Sequence, residues 1–281
     1  MKLLRFGDAG HERPGLLDAT GVIRDLSGVV ADITGLTIND ASLARVASID
    51  PQSLPTVDAA VRIGPCVGAV SKFICVGLNY ADHAAESNLP IPQEPILFQK
   101  AVSAICGPND DVIRPKTATK MDWEVELGIV IGKRARNITE DQAEAHIAGY
   151  CVVNDVSERA YQAERGGQWT KGKSADTFGP IGPWLVTRDE IADIQSLALF
   201  LDVDGIRRQT GNTATMIFSV YHLVAYISEF MTLEPGDIIA TGTPPGVGMG
   251  MKPPVYLEAG QTMHLGIAGL GEQRQTVVAY R

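Results

Sequence analysis

Apolar and polar residues along this chain mostly alternate with a period of two, so strands are expected to outnumber helices. Gly15-Leu-Leu-Asp18 and Val22-Ile-Arg-Asp-Leu26 flank Ala19-Thr-Gly21, a hairpin pattern. Residues 72–77 read as a buried strand, residues 95–100 as a second extended segment and residues 150–154 as a third. Residues 197–203 alternate and then meet Asp204-Gly205, the signature of a tight hairpin. Alternation returns from Thr262 to the C-terminus. Helical patterning is confined to four places. Asn39 can cap a helix that runs through Ser48 and stops at Asp50-Pro51. Residues 81–87 are helix-compatible and are stopped by Leu89-Pro-Ile-Pro92. Thr139-Glu-Asp-Gln142 is a capping-box signature for a helix reaching about Ile147. Ser219 can cap an amphipathic helix with Val220, Leu223, Val224, Ile227 and Phe230 on one face.

These elements predict an α+β, strand-rich fold. Residues 1–66 read as a small N-terminal α+β domain and its proline-rich linker, and residues 67–281 as the main catalytic domain.

Composition narrows the function. Of 281 residues, 45% are hydrophobic and 20% charged, which is a soluble globular balance. The net charge of −9 and the lack of a basic run argue against a nucleic-acid partner. No segment approaches the roughly 20 apolar residues of a membrane span, and the N-terminus lacks the apolar core of a signal peptide. Cys66, Cys75, Cys106 and Cys151 form no CxxC pair and sit among apolar residues, as buried thiols in a reducing cytoplasm do.

The richest stretch is Asp122-Trp-Glu-Val-Glu-Leu-Gly128. On a strand Glu124 and Glu126 project from the same face. Asp155 ends the neighbouring apolar run. Three acids at two strand ends form an oxygen-rich half-cage suited to Mg2+ or Mn2+, with half an octahedron left for water and substrate. Spacing alone fits the solvated face of a strand at least as well.

Three more clusters stand out. In Asn79-Tyr-Ala-Asp-His-Ala-Ala-Glu86, His83 and Glu86 share a helix face, either as an oriented general base or as a surface ion pair. Lys171-Gly-Lys173 reads as a loop, either an anion clamp or a solvated basic turn; P-loop spacing is absent. Thr241-Gly-Thr-Pro-Pro-Gly-Val-Gly248 can offer N–H groups and the Thr243 hydroxyl to a carboxylate, or be a rigid loop. His11, His146 and His264 have no evident catalytic neighbour, and His222 falls off the apolar stripe of its helix.

Taken in order, Val76 to His83, Asp122 to Gly128, Gly149 to Asp155, Lys171-Gly-Lys173-Ser174 and Leu233 to Pro244 resemble the fumarylacetoacetate hydrolase family over residues 70–280. The resemblance implies a mixed β-roll or β-sandwich flanked by helices, in a cytoplasmic homodimer. It implies metal ligation by Glu124, Glu126 and Asp155, water activation by His83 with Glu86, and an active-site lysine at Lys173. It also implies substrate contacts by Arg159, Gln162 and Thr243. One departure is visible: no acid occurs between Lys72 and Ala81, where the name-giving enzyme has a further aspartate ligand. That favours the smaller acylpyruvase-like branch.

For that branch the resemblance implies a small 2-oxo-acid substrate and hydrolysis of the C3–C4 bond of a 2,4-dioxo acid. Residues 1–26 look like members acting on 2,4-diketo-3-deoxy-L-rhamnonate or -fuconate, which would yield pyruvate and L-lactate. Gln168 and Thr170 are candidates to meet the C5 hydroxyl. Ureidoglycolate lysis, oxaloacetate decarboxylation and 2-hydroxy-dienedioate isomerisation use the same 2-oxo-acid handle and stay open. So do a catalytically silent metal-binding homologue and a sugar-acid binding module.

Overall fold

The alternating segments pair into two main sheets in the computed structural model, which describes residues 1–86 and 90–280. The larger sheet has ten strands. Nine of them run in the order Ile23–Asp25, Arg13–Leu17, Lys2–Phe6, Gly179–Thr187, Ile147–Asn154, Val125–Ile131, Ile238–Ala240, Phe73–Gly77 and Ile96–Lys100. Neighbours are antiparallel except Ile238–Ala240 with Phe73–Gly77. The second sheet has five strands, in the order Ile206–Asn212, Ala198–Val203, Thr262–Ile267, Gly271–Ala279 and Val112–Arg114.

Period-two alternation decides where the core lies. Leu127 and Ile129 face the inner strands of the second sheet, packing with Leu199, Leu201, Met263 and Leu265. On the opposite face Val130 packs with Cys75, Cys151 and Val153. All four cysteines are buried and free, as expected from their apolar surroundings.

The N-terminal hairpin forms as the turn residues predict, with Leu17 opposite Ile23. The three N-terminal strands continue the large sheet. Leu3 pairs with Leu185, and Leu3, Leu16 and Leu26 share a core with Phe73 and Cys75.

The helix Asp40–Ala47 is capped by the Asn39 side chain, and Val220–Phe230 by Ser219. The capping-box segment starts where expected, with the Thr139 N–H donating to Gln142 Oε1 at 3.1 Å. It winds as a 3-10 helix, Glu140–His146, rather than an α-helix. The helix Ala81–Glu86 follows the strand Phe73–Gly77; Ser87 and Leu89, expected to close it, lie outside the described residues. No helix among the described residues is long and apolar enough to cross a membrane.

Candidate active site and metal centre

Strand register brings the three acids together. In the antiparallel pair Val153 stands opposite Glu126 and Asn154 opposite Val125, and the Asp155 N–H then donates to the Glu124 carbonyl at 2.9 Å. A separation of 31 residues in sequence, from Glu124 to Asp155, thus closes to one ladder step. Each of Glu124, Glu126 and Asp155 offers a carboxylate oxygen within 4.8 Å of the others, and all three are buried.

Their partners differ. Lys173 Nζ donates to Glu124 Oε2 at 2.6 Å and to Asp155 Oδ2 at 2.7 Å. Arg159 Nη2 donates to Glu124 Oε1 at 2.6 Å, and its Nε to Asp122 Oδ2 at 2.8 Å. Lys100 Nζ takes Asp155 Oδ1 at 2.5 Å. Glu126 accepts the Gly242 N–H at 2.8 Å and, among the described residues, makes no ion pair. Gly242 sits at φ +94°, and a Cβ there would stand 2.8 Å from Asn79 Cβ, so glycine is required for that donation.

Electrostatics follow from these contacts. Burial pushes the Glu124 carboxyl up, but the Arg159 and Lys173 cations outweigh it and bring it down to about 2. Burial, then the neighbouring Asp155 and Glu124 charges, push the Glu126 carboxyl well above the usual range. A buried carboxylate with two acids beside it and one N–H to satisfy it is a half-built cation site. The three donors are hard carboxylate oxygens, a set that fits Mg2+ or Mn2+.

His83 and Glu86 lie on one face of their short helix, with Nδ1 3.2 Å from Glu86 Oε2. A carboxylate only accepts, so the proton sits on Nδ1 and Nε2 is left as the acceptor. The Gly246 N–H donates to both Glu86 oxygens, at 3.0 and 3.1 Å, and fixes that carboxylate. Leu78, between strand and helix, has φ +51°, a strained value for leucine at the entrance to the site.

His83, Glu124, Glu126, Arg159, Gln162, Lys173 and Thr243 all line one cavity of about 200 Å³. One expectation needs correction. The Lys171-Gly-Lys173 segment is a helical turn, Thr170–Lys173, and its lysines diverge. Lys173 is buried against the acids, whereas the exposed Lys171 Nζ donates to the Arg165 carbonyl, so the two form no clamp. Thr243 lines the cavity, but its single O–H is donated to the Val125 carbonyl at 2.9 Å and its oxygen accepts from Gln209. The loop N–H groups of Gly242 and Gly246 hold Glu126 and Glu86 rather than facing a ligand. Gln162 accepts from Arg159 Nη1 at 3.1 Å.

Sequence reasoning missed Lys100 and Asp122. Asp122 is fully buried, accepting from Arg159 and from the N–H groups of Gly248 and Met249. For Lys100 the available signal was a charged residue closing an apolar strand; Asp122 stood at the head of the acid-rich stretch with no role assigned to it.

The chain matches the Fumarylacetoacetate (FAA) hydrolase C-terminal family over residues 72–278. It is 63% identical over 276 residues, 98% of both chains, to a provisionally named hydrolase of Burkholderia cenocepacia strain HI2424. A fumarylacetoacetate hydrolase from psychrophilic Exiguobacterium antarcticum superposes with TM-score 0.89 at 38% identity, over 100% of both chains. A 2-hydroxyhepta-2,4-diene-1,7-dioate isomerase from Mycobacterium marinum does so with TM-score 0.75 at 33% identity, over 99% of this chain and 98% of that one. A maleylpyruvate hydrolase from Sphingobium sp. SYK-6, solved with manganese(II) and pyruvate, gives TM-score 0.83 at 29% identity, over 100% of both. With its strand order, its buried acid triad and these matches, the chain belongs to the fumarylacetoacetate hydrolase family.

Proposed function

We propose that this protein is a metal-dependent hydrolase that cleaves the C3–C4 bond of a 2,4-dioxo acid and releases pyruvate. The observation that carries the reading is a buried acid triad, two of whose members, Glu124 and Glu126, share the wall of one cavity with an oriented imidazole. Glu124, Glu126 and Asp155 would hold the ion. A divalent cation bound there supplies Lewis-acid stabilisation of negative charge on the 2-oxo-acid oxygens. His83 Nε2 takes a proton from water, and the hydroxide oxygen bonds to C4. The C3–C4 bond then breaks, its electron pair passes to C3, and the pyruvate enolate takes a proton there. One water is consumed, and pyruvate and one carboxylic acid leave. The Lys173 ammonium, held by Glu124 and Asp155, adds positive charge beside the developing enolate. Glu86 keeps the imidazole in the productive tautomer.

Within this class the candidate is 2,4-diketo-3-deoxy-L-rhamnonate or its fuconate isomer, giving pyruvate and L-lactate. The support is the resemblance of residues 1–26 to members of that branch, and the tail of that substrate is short and uncharged. Isomerisation of a dienedioate is the second reading, favoured by the structural likeness to the Mycobacterium marinum isomerase. Pyruvate release from the diketo acid with Mg2+ or Mn2+, with EDTA and with Glu126→Ala tests the proposal. Release that needs both the ion and Glu126 is the expected result. Turnover that survives EDTA and Glu126→Ala would refute it.

A further inference from the structure

The cavity has two unlike sets of lining residues. Glu124, Glu126, Lys173 and His83 make up one. Leu78, Ile96, Phe98, Trp169 and Met249 make up the other, and Ile96 and Met249 are exposed. The aromatic part of this wall is fixed in place. Trp169 meets Phe98 edge-on, with centroids 5.2 Å apart at 64°. Its indole also lies on the backbone at Gly77, where a Cβ would stand 2.7 Å from Cζ3. Any side chain at position 77 would displace the ring. The Lys173 ammonium is 5.0 Å from the Phe98 centroid, so one phenyl ring joins the charged residues to the apolar wall.

The polar groups expected to meet a hydrophilic tail lie off this wall. Thr170 Oγ1 donates to the Gln99 carbonyl at 3.3 Å, and Gln168 Oε1 accepts the Thr170 N–H at 2.8 Å. Neither lines the cavity. Among the described lining residues the permanent cations are Arg159 and Lys173, and each is held between two carboxylates. A second carboxylate on the substrate would therefore lie against the half-buried rings of Trp169 and Phe98 with no free cation to meet it, an unfavourable placement for a charge. At about 200 Å³ the cavity is also smaller than the roughly 300 Å³ at which drug-sized sites begin, so the tail is short.

We infer that this wall selects the substrate's tail. Beyond the 2-oxo-acid head, the site takes a short, uncharged chain with an apolar end against Trp169 and Phe98, and it rejects dioates. The inference rests on the 2-oxo-acid reading of the charged residues and sets the class of tail within it.

Two matched pairs of compounds test it on the full chain loaded with Mn2+. The first pair, 2,4-dioxoheptanoate and 2,4-dioxoheptanedioate, differs only by methyl against carboxylate at C7. The mono-acid is expected to be cleaved with at least about 10-fold higher kcat/KM, since even one methylene in an apolar pocket is worth roughly 10- to 200-fold. Trp169→Ala should raise KM for 2,4-dioxoheptanoate more than for 2,4-dioxopentanoate, whose tail is a single methyl. Ile96→Lys, which adds a cation at the rim, should narrow the gap between mono-acid and dioate. Equal or better cleavage of the dioate would overturn the inference while leaving the hydrolase reading intact. The second pair, 2-oxoheptanoate and 2-oxoheptanedioate, cannot be hydrolysed in this way and is compared by calorimetric binding. If no dioxo acid is cleaved, the hydrolase reading falls and this pair still decides the tail. Tighter binding of the mono-acid supports the inference, and equal or tighter binding of the dioate overturns it.

Discussion

Lys100 Nζ lies 2.5 Å from Asp155 Oδ1, with both side chains wholly out of solvent. The same ammonium donates to the Val156 carbonyl at 3.0 Å. Because Lys173 holds the other oxygen, the Asp155 carboxylate is gripped on both sides. Partners that orient a metal ligand typically change affinity by about 10–100-fold when removed. Lys100→Met is therefore expected to weaken Mn2+ binding by about that factor. It should also destabilise the fold, by at most about 3–5 kcal/mol, since it removes one of the two cations that hold a buried carboxylate. Manganese titration and urea unfolding measure the two effects separately. Unchanged affinity in a folded variant would show that Asp155 is oriented without Lys100.

Glu86 is held from two directions, by His83 and by the Gly246 N–H. Glu86→Gln keeps the shape but lets the side chain donate, so the imidazole can take the wrong tautomer. A fall in kcat of about 10²–10⁴ is expected, with Mn2+ affinity unchanged because neither His83 nor Glu86 belongs to the acid triad. His83→Asn should give a similar loss. Weaker metal binding in either variant would contradict this division of labour.

Elements whose signals are local were legible in the sequence. Asn39, Ser219 and the Thr20-Gly21 turn act through hydrogen bonds or backbone geometry within a few residues, and each stands where its pattern put it. The spacing of Glu124 and Glu126 gave their shared face, but only strand register supplies Asp155. Lys100 and Asp122 were missed because a charged residue at a strand end usually faces water. Their burial depends on partners 55 and 37 residues away. The turn Thr170–Lys173 is four residues long, too short for a helical period to register, so its lysines read as a loop.

Glu126 sets a pH dependence. Burial, reinforced by Asp155 and Glu124, raises its carboxyl well above the usual range when no ion is bound. A raised acid contributes stability that is fully present below the unfolded value of 4.5 and is lost as pH rises through the folded value. Metal-free protein should lose this contribution as pH rises, while added Mn2+ should displace the proton and restore stability. The gain in Tm on adding Mn2+ is thus expected to grow with pH, and binding should release protons into the buffer. Glu126→Gln should flatten both responses. A metal-induced shift in Tm that is independent of pH would remove Glu126 as the titrating ligand.

Asp122 ties the acid site to the loop that carries Glu86's anchor. Its two oxygens accept from Arg159 Nε and from the N–H groups of Trp123, Gly248 and Met249. Every partner is a donor. In Asp122→Asn one oxygen becomes an NH2 group that faces a donor whichever way the amide turns, and Arg159 loses one of its two carboxylates. A buried pair broken on one side typically destabilises by about 3–5 kcal/mol. Urea unfolding should show a loss of that order, and proteolysis near residues 246–249 should quicken as the loop loses its tether. Asp122→Ala, which removes the clash of donors but also every acceptor, should be no more stable. Stability within about 0.5 kcal/mol of the parent in both variants, the range of an ordinary surface change, would show that Asp122 holds neither Arg159 nor the loop.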